Sequence, residues 1–398
     1  MNRRILIVRD RPSAGGGIFN YYDAIGKHMD ATVHFVDVGK PQRFYSSSRR
    51  LIARFTLLRL LLDGLTLAFK IIRFRPDLVH INPGLDVATC RSLRRDAVNV
   101  WIARFFRRRV LVFWRGWNNA WCGKPEFPGG NNSVLCRTYK LAVAHIVLSQ
   151  RFHRDLLRWG FTAPIHVETT VVADAFLEGR HAEMDRALTT DLLYLSRVEV
   201  AKGVFELLDV YRMLKRKNQD YTLTIAGSGP DLDALRARAR SMELNDISFP
   251  GFVTGEARLE CYRRGGIFCF LSYTEGMPNA VLEAMAMGLP IVSSDAGGLR
   301  DILRHGTTGF IVHPVKNSAP RERFNTVEVA DSIERLAKDA TLYKRIAAHN
   351  AAYARERFAA PRVAQRLDAI YQSIPVRSNK RSSRLVASTK SEFMKGNS

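Results

Sequence analysis

Cysteine is scarce in this chain, and its spacing suits neither disulfides nor a metal site. The 398 residues hold five cysteines, which are scattered and include no Cys-x-x-Cys pair. A disulfide framework and a zinc site of the usual spacing are therefore not indicated. This usage is typical of a reducing compartment, so we expect a cytoplasmic protein.

The motifs of several enzyme classes are missing as well. The sequence contains no His-Glu-x-x-His, no Gly-x-Ser-x-Gly and no Gly-x-x-x-x-Gly-Lys-Ser/Thr. Zinc proteases, serine hydrolases and Walker-type nucleotide hydrolases are therefore without support. The many arginines belong to no RNA- or DNA-binding motif, so we expect no nucleic-acid partner. No cluster of metal ligands is visible, and we expect no bound metal.

The sequence also has no long uninterrupted apolar run. The longest apolar region, residues 51–74, is broken by five charged residues, whereas a membrane span needs about 20 mostly uncharged residues. Near the first residue, four apolar side chains at positions 5–8 precede the next charge. That run is shorter than the apolar core of a signal peptide, and it predicts a buried first strand.

Two basic stretches have apolar side chains at near-helical spacing. Residues 51–74 carry arginines inside and on both flanks, with a predicted break at Gly64, and residues 94–109 repeat the pattern. Each stretch suits either a helix packed on a core with solvated arginines or a helix lying on an anionic membrane surface. Because there are two of them, the sequence favours the membrane surface.

The charge balance is strongly positive. Sixty-one Lys and Arg against 38 Asp and Glu leave a formal net charge of +23. Residues 1–190 carry 30 basic and 15 acidic side chains, whereas residues 191–374 carry 25 and 22. Net charge informs partners rather than fold. We therefore expect an anionic membrane surface or a phosphorylated substrate as a partner of the first half.

Short β-branched segments alternate with helical stretches along most of the chain. This order is typical of β-α-β units on parallel sheets. The pattern loosens in a polar stretch at residues 173–190 and then restarts. We predict an α/β domain over residues 1–178, a second over residues 190–350, a helix over residues 351–374 and a basic disordered tail over residues 375–398.

Open parallel sheets bind ligands beyond the carboxyl ends of their strands, where several loops carry suitable residues. Arg197 and Lys202 lie five residues apart before a predicted helix start and can converge on one pyrophosphate. Gly227 lies in the next such loop, where glycine permits close approach of a ligand, and Asp231 is a predicted helix N-cap. Taken alone, Arg197 and Lys202 can also be a solvated charge pair, and the loop of Gly227 can also be a purely structural turn.

The loop at residues 273–279 is the most informative. Glu275 lies on the loop and Glu283 about one turn into the next helix, so both can face the cleft. A carboxylate accepts hydrogen bonds of the kind that vicinal sugar hydroxyls donate, and free amides at residues 276–279 suit a phosphate. From spacing alone, Glu283 can also be a surface or capping residue. A further loop at residues 295–298 is expected to serve the next helix turn.

Two loops of the first half are weaker candidates. A glycine run at residues 15–17 follows the first strand and is either a phosphate-binding turn or a plain loop. Arg115, Trp117 and Asn118 follow the strand predicted at residues 110–114 and offer polar donors and an aromatic face. We predict that they bind the acceptor, a sugar or a lipid headgroup, with packing as the alternative.

Taken together, these residues resemble the retaining glycosyltransferases of family 4, the group 1 glycosyltransferases with the GT-B fold. In residues 1–175 the resemblance is loose and rests on the glycine run and the strand spacing. Over residues 190–315 it is specific, because the motifs follow the family's order at residues 197–203, 225–230, 249–253, 275–286 and 306–310.

The resemblance implies an α/β GT-B architecture, two Rossmann-like doubly wound parallel-sheet domains facing a central cleft. It also implies that the helix over residues 351–374 crosses back to the N-terminal domain. It implies that Arg197 and Lys202 neutralise the donor diphosphate, that Glu275 holds the donor sugar, and that these three are the catalytic residues. Glu283 would bond the ribose. The other implied donor-binding residues are Gly16, Gly17, Gly227, Phe252, Val253, Gly276, Met277, Pro278 and Asn279.

The activity implied is retaining transfer of a hexose from a nucleotide sugar to a lipid-linked glycan in bacterial surface polysaccharide biosynthesis. The enzyme would work without a cofactor, in the cytoplasm, peripherally on the inner face of the cell membrane. The sequence departs from the family at Arg115, where many relatives have histidine, and this puts the role of that histidine in doubt. Alternatives are a nucleotide-sugar epimerase, a transferase with a soluble acceptor, and a non-catalytic polybasic membrane-binding module.

Overall fold

A computed structural model describes most of the chain. It covers residues 3–11, 17–38, 49–85, 91–117, 121–178, 189–315 and 323–375. The predictions for Gly16, Asn118 and residues 376–398 lie outside these ranges.

The first sheet is parallel and has the strand order β2-β1-β3-β5-β7-β8. A short parallel pair, β4 and β6, lies beside it. The strands are β1 (Arg4–Asp10), β2 (Thr32–Val38), β3 (Leu78–Ile81), β4 (Gly84–Leu85), β5 (Arg109–Phe113), β6 (Gly116–Trp117), β7 (Ala144–Val147) and β8 (Ile165–Val167). The helices are α1 (Gly17–Gly26), α2 (Arg49–Phe74), α3 (Arg91–Phe105), α4 (Val134–Tyr139), α5 (Gln150–Arg158) and α6 (Asp174–Leu177).

The second sheet is also parallel, with the order β11-β10-β9-β12-β13-β14. Its strands are β9 (Asp191–Leu195), β10 (Thr222–Ala226), β11 (Ile247–Gly251), β12 (Ile267–Phe270), β13 (Ile291–Ser293) and β14 (Gly309–Ile311), followed by the hairpin β15 (Pro314–Val315) and β16 (Arg323–Phe324). The helices are α7 (Val204–Lys217), α8 (Leu232–Ser241), α9 (Gly255–Arg264), α10 (Asn279–Ala286), α11 (Leu299–Ile302), α12 (Thr326–Lys338), α13 (Ala340–Phe358) and α14 (Ala360–Ser373).

Each sheet has its own hydrophobic core. Strands β3, β7 and β12 are buried along their whole length, as expected when helices cover both faces of a parallel sheet. The predicted α/β architecture of two doubly wound sheets is therefore confirmed. In each sheet the sixth strand, β8 or β14, was not predicted.

Helix α2 is continuous, so the predicted break at Gly64 is wrong. A Cβ added at Gly64 would lie 3.1 Å from Cδ1 of Ile102 on α3. The glycine therefore lets α3 approach α2 closely and does not interrupt the helix.

The single helix predicted over residues 351–374 is also wrong, because α13 ends at Phe358 and α14 begins at Ala360. Pro361 stands in the first turn of α14, a position that tolerates proline because its N–H would have no helical partner. Helix α14 packs into the core of the first sheet. Its Tyr371 hydroxyl lies 2.7 Å from Nδ1 of the buried His80. The end of the described chain thus returns to the first sheet.

Candidate active site

A cavity of about 870 Å³ lies between the two sheets. The first half contributes Arg115, Gly116 and Thr170 to its wall, and the second half contributes the loops that follow β9, β10 and β12. The carboxyl ends of the strands of both sheets therefore face one cleft, which is where open parallel sheets bind their ligands.

The loop of residues 197–203 is held by three neighbours. Asp231 Oδ2 accepts a hydrogen bond from the Val200 amide at 2.8 Å, and the Val198 amide donates to the Ser228 carbonyl at 3.0 Å. The Tyr194 hydroxyl donates to the Arg197 carbonyl at 2.7 Å. Asp231 is the N-cap residue of α8 as predicted, but its carboxylate makes no capping hydrogen bond and reaches across to the neighbouring loop instead.

Glycines make this close contact between the two loops possible. A Cβ added at Gly227 would lie 1.8 Å from the Ser196 carbonyl oxygen, and one added at Gly229 would lie 2.1 Å from that of Val198. At Gly203, where φ is +65°, an added Cβ would meet the Leu271 carbonyl oxygen at 2.0 Å. The loops after β9, β10 and β12 therefore pack backbone against backbone at the cavity wall.

Lys202 and Glu275 form an ion pair at the cavity wall. The Lys202 ammonium lies 2.6 Å from Glu275 Oε1 and donates to the Thr274 carbonyl at 3.1 Å. Both side chains are about nine-tenths buried. The structure thus brings together two of the predicted catalytic residues, although Lys202 was assigned to the donor diphosphate and Glu275 to the donor sugar.

Arg197 is in a more open position on the same wall. Its side chain is 72% exposed, and its guanidinium lies 3.0 Å from Glu199 Oε1. It can swing toward an anionic ligand in the cavity at little structural cost, since a solvent-exposed ion pair contributes little to stability.

The loop before α10 packs against two further glycines, Gly297 and Gly298. The Gly298 amide donates to the Gly276 carbonyl at 2.7 Å, and a Cβ added at Gly297 would lie 1.9 Å from the Glu275 carbonyl oxygen. Residues 295–298 lead into α11 as predicted, but they also support Glu275 and Gly276 from below. Met277, Pro278 and Asn279 line the cavity as predicted, whereas Gly276 does not.

Helix α10 begins at the cavity without a side-chain cap. Its first backbone amides have no carbonyl partner within the helix, and the helix dipole adds partial positive charge at this end. This arrangement suits a phosphate group.

Of the two glutamates predicted to face the cleft, Glu275 lines the cavity, whereas Glu283 is 7% exposed and lies beside the lining residue Arg258. Its Oε2 lies 2.6 Å from Nη2 of Arg258 and accepts a hydrogen bond from the Tyr262 hydroxyl at 2.9 Å. Burial raises the pKa of Glu283, while Arg258 and Tyr262 oppose the rise. Both contacts use Oε2 and leave Oε1 for a further donor.

Arg258 is a cavity residue that the sequence analysis missed. It lines the cavity and joins it to Glu283, and its Nε atom is buried without a hydrogen-bond partner in the structure. An arginine in the first turns of α9 looks like an ordinary surface residue in the sequence. Only its pairing with a buried glutamate 25 positions later reveals its place.

Phe252 and Val253 line the cavity near its mouth. The Phe252 ring is 70% exposed, which is unusual for a phenylalanine and leaves a flat apolar face open to a planar ligand. Gly227 lies close by and also lines the cavity, since its amide donates to the Gly251 carbonyl at 2.7 Å.

Arg115 lies at the cavity on the first-half side. Its guanidinium stands over the rings of Tyr21 and Phe113, 3.7 Å from each ring centroid, and Nε donates to Asn82 Oδ1 at 3.2 Å. Its Nη2 atom is buried without a hydrogen-bond partner in the structure. Arg115 is thus fixed by aromatic packing and carries an unused donor.

Trp117 does not reach the cavity, so its predicted role in acceptor binding is wrong. The indole is stacked on Phe152 and Trp159, with ring centroids 4.5 and 5.5 Å apart, and is only 5% exposed. Gly17 is the first residue of α1, and its neighbour Ile18 lines the cavity. Within the described ranges, no group of three or more His, Cys, Asp or Glu side chains is arranged to hold a metal ion.

Part of the chain matches a known family. Residues 188–350 fit the family model described as glycosyl transferases group 1. An alpha-D-kanosaminyltransferase of Streptomyces kanamyceticus is 30% identical over 206 residues, which are 50% of this chain and 51% of that protein. The sulfoquinovosyl transferase SQD2 of Arabidopsis thaliana is 26% identical over 62% of this chain and 48% of its own length. The chain thus spans about half the length of these relatives.

Solved structures match nearly the whole chain. HepE of Anabaena, solved in complex with UDP, has a TM-score of 0.67 at 18% identity and covers 93% of this chain and 100% of its own. Sucrose-phosphate synthase of Thermosynechococcus elongatus has a TM-score of 0.66 at 16% identity and covers 93% of this chain and 98% of its own. At these identities the likeness shows the fold, which is GT-B.

Proposed function

We propose that this chain, whose residues 188–350 match the group 1 glycosyl transferases, is a retaining glycosyltransferase of family 4 that uses a nucleotide-sugar donor. One observation carries the proposal. A single cleft gathers Arg197, the Lys202–Glu275 pair, Arg258 and the uncapped start of α10. Cationic groups and free amides together suit a diphosphate, and a carboxylate beside them suits sugar hydroxyls.

In the proposed complex, the donor diphosphate lies between Lys202, Arg197 and the start of α10. Glu275 already binds Lys202 through Oε1, and its Oε2 faces the position of the donor sugar. Phe252 covers the base, and the Arg258–Glu283 pair lies toward the ribose. Gly227 allows the close approach of the donor to the wall.

The reaction breaks the bond between the anomeric carbon and the diphosphate oxygen and forms one from that carbon to an acceptor oxygen. For retention, the acceptor attacks on the face that the diphosphate leaves, and its hydroxyl proton passes to a leaving phosphate oxygen. Negative charge grows on the diphosphate in the transition state, so Arg197 and Lys202 contribute most by stabilising it.

The acceptor side is proposed on the charge of the first half and on Arg115. Residues 1–190 carry 30 basic and 15 acidic side chains, and Arg115, whose buried Nη2 has no hydrogen-bond partner in the structure, lines the cavity. Both suit an acceptor that carries a phosphate, such as a lipid-linked glycan of bacterial surface polysaccharide biosynthesis. The enzyme would then transfer a hexose at the cytoplasmic face of the membrane, as a peripheral protein.

Proton NMR of slow donor hydrolysis tests the transferase proposal. With UDP-glucose as the first probe, and with GDP- and ADP-glucose in parallel, we expect the first free glucose to have the anomeric configuration of the donor. Glucose of the opposite configuration would contradict retention. If none of the three donors is hydrolysed or bound, the transferase proposal fails.

A further inference from the structure

Helix α2 has a second apolar face that the fold does not bury. On one side, Leu67 and Ile71 are covered completely by the core of the first sheet. On the other side, six side chains are each more than half exposed: Leu58, Leu61, Leu62, Leu65, Phe69 and Ile72. At 100° per residue these six fall within an arc of about 100°. A helix that packs on one core needs one apolar face, so the second requires another explanation.

Helix α3 extends this face. It lies against α2 where Gly64 meets Ile102, and its Val98, Trp101 and Phe105 are 47%, 54% and 82% exposed. The Trp101 indole donates to Thr138 Oγ1 at 3.0 Å, which holds the ring in its outward position. We call these nine side chains of α2 and α3 the α2/α3 surface.

The α2/α3 surface concentrates the exposed apolar groups of the molecule. In the described part of the chain, nine of the fifteen exposed large apolar side chains belong to it, and three lie beyond residue 189. Single exposed apolar residues are normal on a protein surface, whereas a contiguous group marks an interaction site.

The charge around this surface has one sign. Helix α2 contains six basic residues and one acidic residue, Asp63, while α3 contains four and one, Asp96. Both aspartates are turned inward, 5% and 1% exposed, and they pair with Arg11 and Arg95. Among the side chains that the structure describes, the two helices thus present apolar groups and cations such as Arg73 and Arg94 to solvent, and no exposed carboxylate.

We propose that the α2/α3 surface docks the protein on an anionic lipid bilayer. The apolar side chains would enter the headgroup–acyl boundary, while the arginines stay at headgroup level. A second copy of the chain is a poorer occupant, because it would bring one cationic face against another. No helix in the described part of the chain is long and apolar enough to cross a membrane.

The two helices that carry the surface begin on the cleft side of the first sheet. In β-α-β units a helix begins at the carboxyl end of the strand before it, so α2 and α3 start at the edge of the sheet that faces the cavity. This inference deepens the proposed function, since it names the surface that would hold the enzyme against a lipid-linked acceptor. Its evidence, however, is independent of the donor site.

Vesicle flotation tests the apolar part of the surface. The full chain is mixed with phosphatidylcholine vesicles that contain phosphatidylglycerol, and the vesicle-bound fraction is compared with that of the combined variant Leu61→Ser, Leu65→Ser, Phe69→Ser. We expect the partition coefficient to fall by at least about tenfold, because three apolar side chains no longer leave water. The control Val315→Ser, Val327→Ser removes exposed apolar side chains elsewhere and should bind as the wild type does.

The charge is tested in the same assay. Arg73→Gln with Arg94→Gln should lower the partition coefficient by about tenfold or more at low salt, whereas the control Arg264→Gln with Arg300→Gln should not. Equal binding of the wild type to neutral and anionic vesicles would overturn the proposal. The proposal would also be overturned if the wild type sedimented as a dimer, the apolar variant sedimented as a monomer, and neither protein bound vesicles.

UDP titration into the same proteins separates this proposal from the proposed function. A surface variant that still binds UDP but not vesicles supports the surface and shows that the variant is folded. A wild type that binds vesicles but no nucleotide contradicts the donor site and leaves the surface supported.

Discussion

At the scale of single residues, Arg197 and Lys202 differ in their surroundings although both are proposed to hold the same diphosphate. Lys202 is buried against Glu275, whereas the Arg197 side chain is 72% exposed beside Glu199. Activity and stability should therefore respond differently at the two positions.

We expect Lys202→Met and Arg197→Met each to lower kcat/KM by about a hundred- to a thousand-fold, since each removes a charge that stabilises the leaving diphosphate. Lys202→Met should also lower the free energy of unfolding by about 3 kcal/mol, because it leaves Glu275 buried without its partner. Arg197→Met should change it by less than about 0.5 kcal/mol. Donor turnover and urea unfolding measure the two effects, and equal stability of the two variants would contradict the assigned burial.

Glu283 is proposed to accept a ribose hydroxyl through Oε1, because its Oε2 is held by Arg258 and Tyr262. Glu283→Gln keeps the shape but removes the charge, so we expect the KM for the donor to rise about ten- to a hundred-fold. The ribose does not react, and kcat should change little. Steady-state kinetics measure KM and kcat for the donor, with Tyr262→Phe as a control that keeps the carboxylate. An unchanged KM would exclude the ribose role.

The buried His145 predicts how stability depends on acidity. Burial lowers its pKa to about 3, whereas the unfolded residue has a pKa near 6.5. Below about pH 6.5 His145 becomes protonated in the unfolded chain but stays neutral in the folded one. The free energy of unfolding therefore falls as the pH falls, by up to about 1.4 kcal/mol per pH unit, until about pH 3.

We expect His145→Phe to make the free energy of unfolding depend less on pH, by the equivalent of one proton taken up on unfolding. Urea unfolding between pH 6.5 and 4 measures this dependence. The solvent-exposed His28 provides the control His28→Phe, because its ring is hydrated in both states. The burial account fails if the two variants have the same slope.

At the scale of secondary-structure elements, the sequence predicted what depends on local pattern. Apolar runs predicted most of the strands of the two sheets, and α7 and α8 begin where helix starts were predicted, just after Lys202 and at Asp231. The spacing of Glu275 and Glu283 did not reveal that one lines the cavity while the other is buried, because the path of the loop between them sets the phase of α10. Arg258 was missed for the same reason, since its partner is remote in sequence. Trp117 was misassigned because the ring stack that covers it comes from α5 and the residues after it.

The contact between the loops after β9 and β10 depends on the absence of a side chain at residue 229. In Gly229→Ala the new Cβ would lie 2.1 Å from the Val198 carbonyl oxygen, whereas an added Cβ at Gly26 meets nothing within 4 Å. We expect Gly229→Ala to cost about 1–3 kcal/mol of stability and to weaken nucleotide binding by displacing Arg197 and Lys202. Thermal unfolding and nucleotide titration compare it with Gly26→Ala, and identical behaviour of the two would contradict the loop contact.

At the scale of the whole molecule, the two sheets divide the proposed work. The second half supplies most of the proposed donor site, and the first half carries the excess of basic residues and the α2/α3 surface. Helix α14 ties the halves together, because it follows the second domain yet packs in the core of the first sheet. The sequence pattern showed this segment to be helical, whereas its return to the first domain was implied only by the family resemblance, since the contact joins residues nearly 300 positions apart.

Isothermal titration of UDP, GDP, ADP and CMP into the full chain tests the nucleotide site most directly. We expect at least one nucleoside diphosphate to bind, with an affinity at least about tenfold weaker in Arg197→Met, whose exposed side chain can be removed without loss of the fold. If none of the four nucleotides produces heat of binding in the folded protein, with or without anionic vesicles, the cleft is not a nucleotide-sugar site and the central claim is wrong.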